Sequence, residues 1–537
     1  MGLTVLFLFA LFGRDFYVQV IAAPALAKEG ARSSVANLAL PAHRGKILDR
    51  NGKVLAGDEP LPTVSASPYL ITNPQTTAAD LAGVLGLKEG DLARKLTGKG
   101  TFVYIARKVS PELGDEVKAL KLVGVSVSPE DLRVYPNDKL APQLLGFVDS
   151  YNTGIAGIEK QYNGVLAGHT GTQKEVLDRE GHTLNILSET AAANGIDLTL
   201  TIDTEIQYEA ENVLTSVVKD VGAKKACAIV LDPTTGEILA MADTPVFDTN
   251  TYARQSAADQ RNIAVTDEYE PGSIFKVVTA AAALSAGLVT PDTVFDLGPT
   301  ADVAGQVVHE AESVPAERSL SVTQILAESS NVGAITLGRL VGDQRMMDMI
   351  SRFGFTKKTG IDFPGEVAGS LTPLAHWYAT VLPYVSMGQS ISVTPLQMAC
   401  AYAAIANNGV LMQPHLVKGA AVPAGRQVIS PQVAQQLREM LTVTVESGTG
   451  TRAQISGYDV AGKTGTAQQA NAAKNGYAPG DYVASFVGMV PANAPRLVIL
   501  VTVFEPATEH KGALVAAPAF SQITQFALNQ LGIAPTH

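Results

Sequence analysis

The sequence predicts an α/β (α+β) protein. One large unit has an antiparallel sheet assembled from both of its ends around a helical middle. A smaller α/β segment precedes it, and an apolar helix opens the chain. Three observations carry this reading: strand hairpins at the two ends of the large unit, helical patterns between them, and a nearly pure apolar run at the N-terminus.

"LTVLFLFALFG" is apolar from Leu3 to Gly13. Alone it falls short of the ~20 residues that cross a bilayer. Extended through Phe16 to Ala22 it spans one, with Arg14 and Asp15 near an interface or facing a partner helix. Small residues at Ala22 and Ala23 also suit a cleaved signal peptide, but no basic stretch precedes the apolar run. The expectation is a membrane anchor with everything after it outside the cytoplasm. "KEGARSSVANLALPAH" reads as an extended linker. "RGKILDRNGKVLA" carries a hairpin signal at Asn51-Gly52. From Asn73 to Val127 short helical and strand patterns alternate, and Gly-rich turns follow.

In "NGIDLTLTIDTEIQYEAENVLTSVV" a strand gives way to a long amphipathic helix, with Asp203 or Thr204 as its N-cap. "ACAIVLDPTTGEILAMAD" is two strands around a Gly-containing turn, and "DYVASFVGMVP" with "RLVILVTVFEP" forms a second hairpin. Helical stretches are expected to fill the middle from Ile274 to about Ala406, and "APAFSQITQFALNQLG" closes the chain as a helix.

Composition bounds the function. Of the 537 residues, 46% are hydrophobic and 17% charged, which supports large cores and argues against wholesale disorder. The net charge of −11 has no basic face against it, so no nucleic-acid partner is expected. Cys227 and Cys400 lie in apolar runs and read as buried thiols. Without a CxxC or Cys/His cluster, neither a redox motif nor a metal site is suggested.

The candidate chemistry lies in three short motifs, and each has a decoy. Ser-x-x-Lys occurs at Ser273/Lys276 and at Ser216/Lys219. Ser-x-Asn occurs at Ser329/Asn331 and at Ser150/Asn152. Lys-Thr-Gly occurs at Lys463 and at Lys358. Context separates them. Pro271-Gly272 opens a helix at Ser273, where the positive end of the helix dipole favours an emerging anion, and Lys276 lies one turn on. Ser216 lies inside a long helix, where its hydroxyl would bond back to the preceding turn.

A serine nucleophile needs a base, and lysine serves only when neutral. Moving its pKa from ~10.4 to ~7 takes roughly 4–5 kcal/mol. Burial against "VVTAAAAL" would supply this, with Lys463 as a second nearby cation. Ser329 would relay a proton, and Asn331 would donate and accept toward a peptide backbone; the plainer reading of Asn331 is a helix cap. Gly465 lets the chain pass close to a ligand, and Lys463, Thr464 and Thr466 suit a carboxylate. The N–H groups of Ser273 and Thr466 would form an oxyanion hole. The copy at Lys358, between "FGF" and "FPGE", reads as a loop.

Ser-x-x-Lys, Ser-x-Asn and Lys-Thr-Gly in this order are the penicillin-binding set. With their flanks "YEPGSIFK", "SSNVG", "FGFTKKTGIDFPGE", "SMGQSISVTPLQMACAYAAIANNG" and "VAGKTGTAQ", the chain resembles a monofunctional, class B penicillin-binding protein. "SSNVG" and "SFVGMVP" look most like the division-type FtsI/SpoVD branch. "RGKILDRNG", "RVYP" and "GIAGIEKQYNGVLAG" are similar to the family's pedestal motifs, and "GRDFYVQV" to the outer end of its anchor.

The resemblance implies an anchor over residues 1–25, an elongated, mostly-β pedestal (dimerisation-like) domain over 26–196 and a transpeptidase domain over 197–537. It implies that Ser273 attacks the D-Ala-D-Ala bond of a peptidoglycan stem peptide and passes the acyl group to a neighbouring stem. Lys276 would be the base, Ser329 the relay and Asn331 a substrate holder, with Lys463, Thr464, Gly465 and Thr466 at the terminal carboxylate. β-Lactams would acylate Ser273. No cofactor or metal is implied. Partners would be a membrane-embedded glycan polymerase and divisome proteins. The short anchor and the lack of a cytoplasmic tail point to a start upstream of Met1, and no sensor-like repeats follow His537. The rival readings are an elongation- or sporulation-type paralogue, a D,D-carboxypeptidase or β-lactamase, and a non-catalytic scaffold for the polymerase.

Overall fold

The computed structural model describes residues 2–25, 35–98, 100–177, 183–311, 316–471 and 476–537. The chain divides into two compact units. One takes Met1–Lys46, Gly57–Val134 and Gly164–Asp197; the other takes Ile47–Ala56, Tyr135–Asn163 and Leu198–His537.

The first unit begins with the helix Gly2–Phe16, which continues through a π-helical turn at Tyr17–Ile21. Thr4–Ile21 is long and apolar enough to cross a membrane, and Leu6, Phe9 and Phe12 stand exposed on it. Of the predicted linker at 28–43, residues 28–34 lie outside the described residues. The rest does more than link: Val35–Leu40 pairs antiparallel with Gly171–Leu177, which pairs with Thr183–Thr190.

Residues 57–66 pair antiparallel with Val125–Val134, and the end of the same strand pairs with Val103–Ala106. The helices Pro74–Leu85, Glu89–Leu96 and Pro111–Ala119 bury Leu81, Leu92, Leu96 and Val117 against Val64 and Ile105. Asn73 and Ser110 cap two of these helices by accepting from backbone N–H groups, each followed by a proline whose missing N–H costs nothing there.

In the second unit the helix α1 (Thr204–Val221) is capped by Asp203, which accepts from the N–H groups of Glu205 and Ile206. Its residues Ile206, Ala210, Val213 and Leu214 recur at helical spacing and enter the core. The hairpin predicted at "ACAIVLDPTTGEILAMAD" forms as strands β1 (Lys225–Leu231) and β2 (Ile238–Thr244).

Next come the helices α2 (Lys276–Ser285), α3 (Val322–Ala327), α4 (Asn331–Val341), α5 (Pro395–Ala406) and α6 (Pro431–Glu446). The strands β3 (Ala461–Asn471), β4 (Gly476–Val490) and β5 (Leu497–Phe504) complete one sheet, and α7 (Gly512–Gln530) follows. The order is β2-β1-β5-β4-β3, antiparallel throughout. Both ends of the unit therefore supply the sheet, as the hairpin patterns predict. α1 and α7 cover one face and α5 packs on the other. With both faces covered, β5 is buried at every residue, which explains why its run "LVILVTVF" is apolar except at Thr502.

The middle is not wholly helical. Val294–Leu297 pairs with Arg318–Ser321, and Thr300–Val303 pairs with Gln306–His309. The second hairpin closes on Ala304 and Gly305, both at positive φ (52° and 87°), the two-residue turn whose twist matches its strands. The helical reading of the middle missed this because "ADVAGQVV" lacks the Asn-Gly or Asp-Gly signature. Both cysteines are buried free thiols, as expected.

Candidate active site

Ser273 lies in a 3₁₀ turn, Gly272–Phe275, and Lys276 is the first residue of α2. The nucleophile candidate is thus one tight turn ahead of the α-helix, not inside its first turn. Gly272 has φ of 56°, a left-handed conformation that glycine adopts without strain. The segment "SMGQSISV" holds this turn in place. Gly272 N donates to Gly388 O (2.9 Å), and Tyr269 and Val393 exchange two backbone bonds (2.9 Å each). The Tyr402 hydroxyl on α5 donates to Ile274 O (2.9 Å).

Ser329 stands between α3 and α4 at φ of 61°. Its N–H donates to Leu326 O (3.2 Å), and the Ser330 N–H donates to Ile325 O (2.9 Å). This is a Schellman ending, whose left-handed position usually holds glycine. A serine there costs about 1–2 kcal/mol. Its hydroxyl and carbonyl both face the lysine: Lys276 Nζ donates to Ser329 O at 2.6 Å and lies 3.4 Å from Ser329 Oγ. Lys276 Nζ also donates to Asn331 Oδ1 at 2.7 Å. Asn331 does not cap α4; Ser330 does, accepting from Gly333 N. The amide of Asn331 is left to bind Lys276 on one side and to donate to His309 O (3.0 Å) on the other.

Burial in α2 pushes the Lys276 ammonium down to about 7, against the opposing pull of the Glu310 carboxylate. Lys463 on β3 is fully buried, and burial followed by the charge of Lys276 pushes its pKa well down. The second-cation effect expected on Lys276 is therefore felt by Lys463. Lys463 Nζ donates to Thr464 O (3.2 Å) and lies 3.4 Å from Thr464 Oγ1.

The turn of Ser273 lies directly on β3. A β-carbon on Gly465 would come within 3.0 Å of Ile274 Cγ2 and 3.3 Å of Pro271 O, and one on Gly272 within 3.2 Å of Thr466 O. Thr466 is exposed, and its Oγ1 accepts from Gly512 N at the start of α7 (3.0 Å). The residues expected to act together thus gather around the turn of Ser273 and the start of β3.

Two further residues belong to this cluster and were not found from the sequence. Glu310, 4% exposed, accepts from Ser330 Oγ (2.5 Å), Asn331 N (2.6 Å) and Arg318 Nη2 (3.3 Å). It follows the short hairpin that the helical reading of the middle passed over. Thr449 Oγ1 is 2.8 Å from Thr464 Oγ1, and its N–H donates to Ala327 O (3.1 Å). Its only signal is the Gly-Thr-Gly run after α6.

The decoys sit elsewhere. Ser216 is exposed and donates to Asn212 O one turn back (3.0 Å), as its position predicts. Lys358 is exposed in a loop whose Thr359 binds Glu366. Among the described residues no group of histidine, cysteine and carboxylate side chains is arranged to hold a metal.

Residues 226–525 match the penicillin binding protein transpeptidase domain, and residues 39–200 match the penicillin-binding protein dimerisation domain. The chain is 35% identical to a probable peptidoglycan D,D-transpeptidase PenA of Neisseria gonorrhoeae, over 100% of this chain and 92% of that protein. It is 34% identical to the stage V sporulation protein D of Bacillus subtilis, over 97% and 83% of the two chains. Penicillin binding protein 3 of Mycobacterium tuberculosis, solved in complex with aztreonam, superimposes with a TM-score of 0.74 at 30% identity, over 93% of this chain and 98% of that one. With both domains matched and relatives similar along nearly their whole length, the chain belongs to the class B penicillin-binding proteins, the peptidoglycan D,D-transpeptidases.

Proposed function

We propose that Ser273 is the acyl-forming nucleophile of this transpeptidase. Its Oγ attacks the carbonyl of the penultimate D-Ala of a stem peptide and gives its proton to neutral Lys276. The C–N bond breaks, the leaving D-Ala amine takes a proton relayed through Ser329, and an ester on Ser273 remains. The amine of a neighbouring stem then attacks this ester, and the hydroxyl of Ser273 is restored. Asn331 holds the donor backbone. Lys463, Thr464 and Thr466 bind the terminal carboxylate, Gly465 lets it approach, and the N–H groups of Ser273 and Thr466 receive the oxyanion. A β-lactam enters the same step and stays on Ser273.

One observation carries the reading: a lysine held near neutrality, hydrogen-bonded to Ser329 and Asn331, begins the helix that Ser273 precedes by one turn. In the same reading residues 1–25 anchor the chain with the catalytic domain outside the cytoplasm. Residues 26–196 form the pedestal and 197–537 the catalytic domain. A membrane-embedded glycan polymerase and divisome proteins meet the anchor and pedestal.

Labelling with a fluorescent penicillin tests the nucleophile. Wild type and Ser216→Ala should label equally and Ser273→Ala not at all. Label retained on Ser273→Ala overturns the assignment.

A further inference from the structure

The Lys358 copy of the Lys-Thr-Gly motif lines a cavity that none of the residues assigned to the reaction touches. Its volume is about 480 Å³, within the ~300–1,000 Å³ of small-molecule sites. Its charged wall residues are all cations: Lys357, Lys358 and Arg426. Among the described residues none of the three pairs with a carboxylate. The guanidinium of Arg426 is pushed below its usual range by burial and then by the charge of Arg352, so like charges crowd this wall in a chain whose net charge is −11.

Neither acid of the neighbouring loop relieves them: Asp362 accepts from Leu416 N (2.7 Å), Val417 N (3.2 Å) and the Tyr162 hydroxyl (2.7 Å). Glu366 is buried and accepts from Thr359 N (2.6 Å), Thr359 Oγ1 (2.5 Å) and Gly360 N (3.2 Å). The wall is also built in advance. Gln397 at the first turn of α5 donates to Lys357 O and Ala368 O, both at 2.8 Å, which fixes the lysine-bearing loop. Cys400, one turn further along α5, with Leu411, Met412 and Pro414 forms an apolar patch, and Ser351, Thr359 and Gln413 add polar groups to the lining.

We propose that this cavity binds a small molecule with two or more negative charges and a short apolar body. Three cations without a described carboxylate partner, one of them (Arg426) steadied by a hydrogen bond to Arg352 O, favour a multivalent anion, and the apolar patch takes its uncharged part. The anionic groups are carboxylates of a short peptide or phosphates, and the two sources are separated by the probes.

The test is calorimetric titration of the full chain in detergent micelles with two probes, inorganic pyrophosphate and the tripeptide Glu-Glu-Leu. At least one should bind, and the responding probe identifies the source. Affinity should fall at least about tenfold in the double variant Lys357→Glu/Lys358→Glu. Both lysines are exposed, so the variant should keep its Tm and its acylation by benzylpenicillin; if it does not fold, Arg426→Gln takes its place with the same expected loss. Protein already acylated by benzylpenicillin should bind the probe as before. Three results overturn the proposal: no heat from either probe, equal affinity in wild type and variant, or loss of binding on acylation, which would put the anion beside Lys463.

Discussion

Lys463 and Lys358 begin the same tripeptide and live in opposite surroundings. Lys463 is fully buried on a strand in the sheet, pushed toward neutrality by burial and by Lys276, and directed at Thr464. Lys358 is exposed in a loop whose threonine is already bound by Glu366. Ser273 and Ser216 differ in the same way. One lies in a tight turn tied by hydrogen bonds to residues 386–393 and to α5, and the other bonds to its own helix. A motif of three or four residues therefore sets which groups are available, and the packing around it sets their protonation and aim.

The largest expected effect separates the two lysines. Lys463→Ala should slow acylation by benzylpenicillin on the order of 100-fold or more, because a buried donor that holds the carboxylate and aligns the scissile carbonyl on Ser273 is lost. Lys358→Ala should leave the rate unchanged. Equal losses would mean that the tripeptide, not its setting, matters.

The second comparison lies within the cluster. Lys276 titrates at about 7, so the acylation rate of wild type should rise as pH increases through that value, where the amine becomes neutral. The charge of Glu310 holds this pKa up. Glu310→Gln should therefore move the inflection of the pH–rate profile to lower pH, and by disturbing Ser330 and Asn331 it should lower the plateau severalfold. An inflection that stays or moves to higher pH contradicts the assigned coupling.

The two glycines of the tripeptides differ for physical reasons. Gly465 is required by closeness, since a β-carbon meets Ile274 at 3.0 Å, whereas Gly360 is required by its φ of 83°. Gly465→Ala should reduce acylation about tenfold by displacing the serine turn, with little change in Tm. Gly360→Ala should cost about 1–2 kcal/mol of stability and leave the acylation rate of the folded protein intact.

The last comparison concerns the helix that carries Ser216, where the effect on acylation is the smallest. On its buried face Glu211 accepts from Ala141 N and Gln207 Nε2, and burial lifts its carboxyl to about 8. The folded state keeps this proton while the unfolded chain loses it near 4.5, so stability should fall as pH rises from about 4.5 to 8. Glu211→Gln should flatten that part of the Tm–pH curve without changing acylation. A curve that stays as steep would place the titration elsewhere.

Much of the fold was legible because its signals are local. Asp203 caps α1 and the apolar hairpins form β1 with β2 and β4 with β5, since turn chemistry and strand patterning act over a few residues. The hairpin around Ala304-Gly305 was passed over because its turn lacks the usual residue pair. Glu310 and Thr449 escaped for a different reason. Each matters only through a partner distant in sequence, Asn331 and Thr464 respectively, and no local pattern marks such a pair.

By itself the sequence determined the ordered set Ser273/Lys276, Ser329/Asn331 and Lys463-Thr464-Gly465-Thr466, the sheet drawn from both ends of the large unit, and the apolar helix at the start. Only the tertiary structure decided that Lys276 sits near neutrality, that Ser329 takes a left-handed conformation with its carbonyl on that lysine, and that Asn331 binds Lys276 while Ser330 caps the helix. The reason is physical. Residue order fixes chemical identity and short-range geometry, whereas pKa and hydrogen-bond partnership depend on burial and on charges that the fold brings in from far along the chain.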